Sequence, residues 1–164
     1  MTIRAQDVMT VPVVFARTDT TLREASRLLT ENDFRGLPVV DVENRVVGIL
    51  SEADVLRYTQ YIIGQPMRDP YRYLAQEQEA LNISMQRGME VIELVASATL
   101  DTLMTKEVVM VKAEAPVIDV IKLMVENNIN RVPVVDGDGK LEGIVTRQNI
   151  LKMIVERSKE CGLA

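Results

Sequence analysis

The feature that most limits what this 164-residue chain can fold into is a repeat at an offset of 95 residues. Met9-Thr10 recurs as Met104-Thr105, Val13-Val14 as Val108-Val109, Pro38 as Pro133, Asp41 as Asp136 and Gly48 as Gly143. Aligned without a gap, residues 8–56 and 103–151 share 14 identities in 49 positions. Chance at ordinary composition gives roughly three or four. The period is too long for a solenoid unit, so the chain reads as two copies of one supersecondary unit. Each copy alone is too small to bury an adequate core, so the two must share one.

Both copies parse in the same order. The β-branched runs VPVVFA (11–16) and EVVMVK (107–112) predict strands. Leu22, Ala25, Leu28 and Leu29 share a face at helical spacing, as do Val117, Val120, Leu123 and Met124. Pro116 fits the first turn of the second of these helices, where a missing N–H is tolerated. LPVVD and VPVVD predict strands, VEN and GDG turns, and RVVGIL and KLEGIV return strands. A closing helix begins at SEAD in one copy and TRQN in the other.

Composition narrows the chemistry. With 47% hydrophobic residues the chain has enough apolar material for a folded core, and no run approaches the ~18 apolar residues of a membrane helix. MTIRAQDVMT lacks the apolar stretch of an export signal. The lone Cys161 has no internal disulfide partner, and a reducing, cytoplasmic setting fits. A net charge of −5, with no Lys/Arg cluster and no Trp, argues against nucleic-acid binding. With no His and one Cys, the common zinc, iron and copper sites and the His-based catalytic pairs lack their residues. DGDGK (136–140) echoes an EF-hand loop, but position twelve would be Arg147 in place of Glu; a hairpin turn accounts for it.

The sharpest chemical candidates are Ser51-x-x-Asp54 and Thr146-x-x-Asn149, each following a strand. The plain reading is a helix N-cap paired with the residue three positions on. The functional reading uses the same cap. A helix N-terminus favours phosphate, a hydroxyl there donates to it, and a carboxylate one turn on accepts from a ribose diol.

In DVMT and TLMT, LPVVD and VPVVD, and VGILSEADVL and EGIVTRQNIL, the chain resembles a tandem pair of CBS domains, the Bateman module. The resemblance covers residues 1–56 and about 98–156. It implies an α/β fold of two pseudo-symmetric β-α-β-β-α units packed through their sheets, dimerising as a homodimer. It divides the chain into a first motif at 1–60, a helical insert at 61–97 and a second motif at 98–164. It further implies a non-catalytic regulatory module that binds adenosine ligands (AMP, ADP, ATP, S-adenosylmethionine or NAD) in the clefts between the two motifs, with no required cofactor, and acts on an effector protein in trans. Carried over by position, one site takes Val13, Val14, Leu37, Pro38, Ser51 and Asp54. The other takes Val108, Val109, Val132, Pro133, Thr146 and Asn149, with Arg131 placed to meet phosphate. The four Val residues after the threonines are of a type more often found as core strand residues than as ligand contacts. Asn149 offers an amide in place of a carboxylate, so Asp54 is expected to grip a ribose better. The competing readings are a ligand-free interaction module, in which Ser51 and Thr146 only cap helices, and a nucleotide-converting enzyme.

Between the copies, GQPMRDP (64–70) breaks the pattern and residues 71–96 predict a long helix, with Leu74, Leu81, Met85, Met89 and Ile92 near one face. It suits either a cover for the core or a partner-binding face. All four tyrosines, Tyr58, Tyr61, Tyr71 and Tyr73, fall in or near it, as on a contact surface.

Overall fold

The computed structural model describes residues 2–63, 88–90 and 92–160. The break at 64–70, most of the helix expected at 71–96, and Tyr71 and Tyr73 therefore lie outside the described residues. Residues 88–90 and 92–97 are helical, with Met89 and Ile92 both exposed.

The repeat is visible in the helix, hairpin and closing helix of each copy. In the first copy, β1 (Ala16–Arg17) is followed by α1 (Leu22–Glu31), β2 (Gly36–Val40), β3 (Val46–Ser51) and α2 (Glu52–Ile63). The second opens with the short α3 (Leu100–Leu103), then α4 (Val117–Glu126), β4 (Arg131–Val135), β5 (Leu141–Thr146) and α5 (Arg147–Glu160). The strands form one sheet in the order β1-β2-β3 and a two-stranded sheet of β4 and β5.

The helices begin and face as their sequences dictate. Thr21 caps α1: its hydroxyl oxygen accepts from the Glu24 N–H at 3.3 Å, while Glu24 Oε2 accepts from the Thr21 N–H at 2.9 Å. That hydrogen bonding holds the Glu24 carboxyl below its usual pKa. Leu22, Ala25 and Leu29 are buried on α1, and Val117, Val120 and Met124 on α4. Pro116 is the N-cap residue of α4, one position before the first turn expected for it. Both hairpin turns rest on an aspartate. Asp41 Oδ1 accepts from the Glu43 and Arg45 N–H groups, and Asp136 Oδ1 from those of Asp138 and Lys140. Asn44 and Gly139 take the positive φ these turns need.

Two predicted strands are largely missing. VPVVFA contributes only Ala16, which with the following Arg17 pairs in parallel with Val39 and Val40. EVVMVK contributes a single bridge, Val111 to Val134. β propensity supplies an extended chain but no partner. Val111 alone of 107–112 exchanges backbone bonds with β4, through Pro133 O and the Val135 N–H.

The chain resolves into two compact units that cut across the repeat. One comprises Met1–Arg17, Pro38–Gly48 and Lys106–Ala164; the other comprises Thr18–Leu37 and Ile49–Thr105. Each unit takes the leading segment of one copy and packs it on the body of the other. In the first unit, Ala5 and Gln6 donate to Ala115 O and Ala113 O, and Val117 donates to Ile3 O. Ala5 joins the cluster of Val120, Val132, Val134 and Val145, all buried. In the second unit, Leu100 and Asp101 donate to Thr20 O and Thr18 O, and Leu22 donates to Ala98 O. Met9 and Gly143 show how closely this exchange is packed: a Cβ on Gly143 would overlap the Met9 thioether. Gly143→Ala is expected to cost about 1–3 kcal/mol by overpacking, read as a lower denaturation midpoint with an unchanged slope. A variant as stable as the parent would mean that Met9 swings aside without loss.

Candidate functional site

The two candidate caps are built alike. Ser51 ends β3, and its N–H and hydroxyl both donate to Asp54 Oδ2, at 2.8 and 2.5 Å. The Asp54 N–H returns a bond to Ser51 Oγ at 3.4 Å. Thr146 ends β5 and repeats the pattern, donating to Asn149 Oδ1 at 2.8 Å from its N–H and 2.7 Å from its hydroxyl. The Asn149 N–H bonds Thr146 Oγ1 at 3.3 Å. The plain capping reading is therefore realised in both copies.

A threonine from the opposite copy completes each cap. In one unit the Thr105 hydroxyl donates to Asp54 Oδ1 at 2.8 Å. In the other, Asn149 Nδ2 donates to Thr10 Oγ1 at 3.1 Å. The backbone makes the same exchange: Thr105 and Ile49 bond each other at 2.9 Å in both directions, while Thr10 and Ile144 do so at 2.9 and 3.3 Å. Sequence reasoning used Met9-Thr10 and Met104-Thr105 as landmarks of the repeat and of the resemblance, not as site residues, and drew the residues of each site from one copy. The repeated threonine itself was the available signal.

Electrostatically the caps differ. Asp54 is 2% exposed, and Arg57, one turn on, reaches its Oδ1 at 3.0 Å. Glu52 and Asp54 give the first turn of α2 two acidic residues, whereas that of α5 has none. Arg131 lies directly opposite Thr146 across the β4–β5 ladder, beside the start of α5. The Arg147 guanidinium donates to the Asn130 side-chain oxygen.

The remaining predicted residues divide by burial. Leu37, Pro38, Val132 and Pro133 are all but inaccessible in β2 and β4, so their side chains serve as core. Val13, Val14 and Val109 are half-buried. Val108 packs against the cluster of Val40, Val46 and Val135, which favours its structural role. A cleft of about 260 Å³ opens beside Asn149, lined by Ile3, Asp7, Val8, Lys152, Met153, Glu156 and Arg157. Asn149 is the one predicted site residue on its wall. Among the described residues, no helix is long and apolar enough to cross a membrane.

The CBS domain family matches this chain twice, over residues 5–61 and 100–156. An uncharacterized protein of Methanocaldococcus jannaschii is 29% identical over 167 residues, covering 92% of this chain and 90% of its own. The crystal structure of CBSX2 in complex with AMP is 26% identical, with a TM-score of 0.69 over 93% of this chain and 97% of that one. CBSX2 is a CBS-pair protein of Arabidopsis thaliana. The CBS domain pair of protein MJ0100, solved with 5′-methylthioadenosine and S-adenosyl-L-methionine, shares the fold at 22% identity, with a TM-score of 0.66 and coverage of 96% and 99%. Two matches in register, on a chain whose elements repeat in the same order, leave one conclusion: this chain belongs to the CBS domain family.

Proposed function

We propose that this chain is a non-catalytic regulatory module that binds adenosine-containing ligands at its two caps and passes the bound state to a partner protein in trans. The observation that carries the reading is the doubled cap. Each pairs a hydroxyl at a helix N-terminus with an acceptor one turn on and a second hydroxyl from the other copy. That set suits a phosphate beside a ribose. A relative of the same fold bound to AMP supports the ligand class. The exchanged threonines also reassign the walls. Val13 and Val14 follow Thr10 and so go with Thr146 and Asn149, in the same compact unit. Leu37, Pro38, Val132 and Pro133 contribute backbone, and Arg131 meets phosphate at the Thr146 cap. No cofactor is required, and the setting is cytoplasmic.

Self-association belongs to the same proposal. On α5, Leu151, Ile154 and Val155 form an exposed apolar stripe at helical spacing; on α2, Leu56 and Tyr61 are exposed. A homodimer covers such faces, and sedimentation at micromolar concentration reads it directly. One observation favours the alternative of a ligand-free interaction module: both caps are already satisfied by protein hydrogen-bond partners.

Melting in the presence of AMP, ADP, ATP, NAD and S-adenosylmethionine separates the two readings. A ligand at 100 times its Kd is expected to add about 2.7 kcal/mol of stability. If no adenosine compound at millimolar concentration shifts the melt, the ligand reading fails and the interaction module stands. Hydrolysis of the bound nucleotide over hours would instead make the chain an enzyme.

A further inference from the structure

We propose that Arg57 is a latch on Asp54, which an adenosine ligand must displace before the carboxylate can hold a ribose. The proposal rests on the adenosine reading above and adds to it a residue that sets the affinity of one site.

A carboxylate has about four lone-pair positions to offer. At Asp54, protein donors take all four: the Ser51 N–H and hydroxyl on Oδ2, and Arg57 Nη1 and the Thr105 hydroxyl on Oδ1. The side chain is 2% exposed, so water fills no gap there. A ribose diol therefore enters only if a donor leaves. The Ser51 pair is the cap of α2, and giving it up frays the helix. Thr105 is tied by two backbone bonds to Ile49. Arg57 stands at the end of a flexible side chain that is 67% exposed, and its guanidinium rehydrates at little cost. It is the donor that leaves.

The other copy has no such latch. Lys152 occupies the register of Arg57, but its neighbour is an amide, which holds no charge to attract it. Among the described residues no hydrogen bond joins Lys152 to Asn149, whose own Nδ2 is turned to Thr10. The residue chemically better suited to a diol is thus the one held occupied.

The test is a titration with AMP and with uncharged adenosine, followed through the backbone amides of Asp54 and Asn149 by NMR. Wild type is compared with Arg57→Ala and Arg57→Lys. Losing an exposed competitor is expected to tighten the Asp54 response to both compounds roughly fivefold in Arg57→Ala. Arg57→Lys should fall between, and the Asn149 response should not move. Unchanged or weaker binding at Asp54 overturns the latch. Weaker AMP with unchanged adenosine would do so by making Arg57 a phosphate contact. If neither compound moves either amide in any of the three proteins, the adenosine reading and the latch fall together.

Discussion

Asp54→Ala is expected to lower the stability of the chain by roughly 2–3 kcal/mol, and Asn149→Ala by roughly 1–2. The two residues occupy the same position in their copies, so the difference comes from what surrounds them. Asn149 receives two bonds from Thr146 and gives one to Thr10. Its removal is mainly the loss of a cap. Asp54 is more deeply buried and gathers four donors, one of them a guanidinium. Arg57 and Thr105 are exposed and rehydrate once Asp54 is gone, which keeps the cost below that of breaking a fully buried ion pair. The Ser51 N–H has no such escape. For a chain of this size the loss of Asp54 means about 2–4 °C in Tm for each kcal/mol. Denaturant unfolding of both variants checks the order. Asp54→Asn supplies the control, since an amide can accept from Ser51 and turn its NH2 to the Thr105 hydroxyl, as Asn149 does to Thr10. It should lose no more than about 1 kcal/mol relative to the parent. If Asp54→Asn is as damaging as Asp54→Ala, charge and not cap geometry carries the site.

Most of the fold was legible because the chain is written twice. A turn signal such as GDG is ambiguous alone; opposite VEN, between matching strands, it becomes a hairpin. What the pattern could not convey was pairing between distant segments. The runs around Val13 and Val108 have strand composition, yet an extended segment becomes a strand only where a neighbour exposes a free backbone edge. β2 and β4 offer that edge only near Val39, Val40 and Val134. The caps were legible for the same reason as the hairpins, since Ser51 to Asp54 and Thr146 to Asn149 are contacts across three residues. The contacts of Thr105 with Asp54 and of Thr10 with Asn149 span 51 and 139 positions. No local spacing encodes such contacts. Arg57 was within local reach, one helical turn from Asp54, but an Arg three residues after an Asp on an exposed helix face is too common to single out.

The exchange of threonines has a consequence that separates it from a site built within one copy. Thr10→Val is expected to disturb ligand binding at Thr146 and Asn149, while Thr105→Val acts at Ser51 and Asp54. The effects should also differ in kind. Thr10 Oγ1 accepts from Asn149, so its own proton remains to be given to a ligand oxygen. Losing that hydrogen bond should weaken AMP about tenfold at this cap. The Thr105 hydroxyl spends its proton on Asp54. Its loss frees a lone pair on Asp54 that a ribose hydroxyl can use, so Thr105→Val should not weaken AMP at this cap, and should chiefly destabilise the fold. Valine preserves the shape of threonine and the backbone bridges to Ile144 and Ile49, which depend on no side chain. Amide-resolved titration of the two variants reads each cap separately. If Thr10→Val instead moved the Asp54 response and spared Asn149, the sites would lie within the copies. The exchanged segments would then be a packing device with no part in recognition.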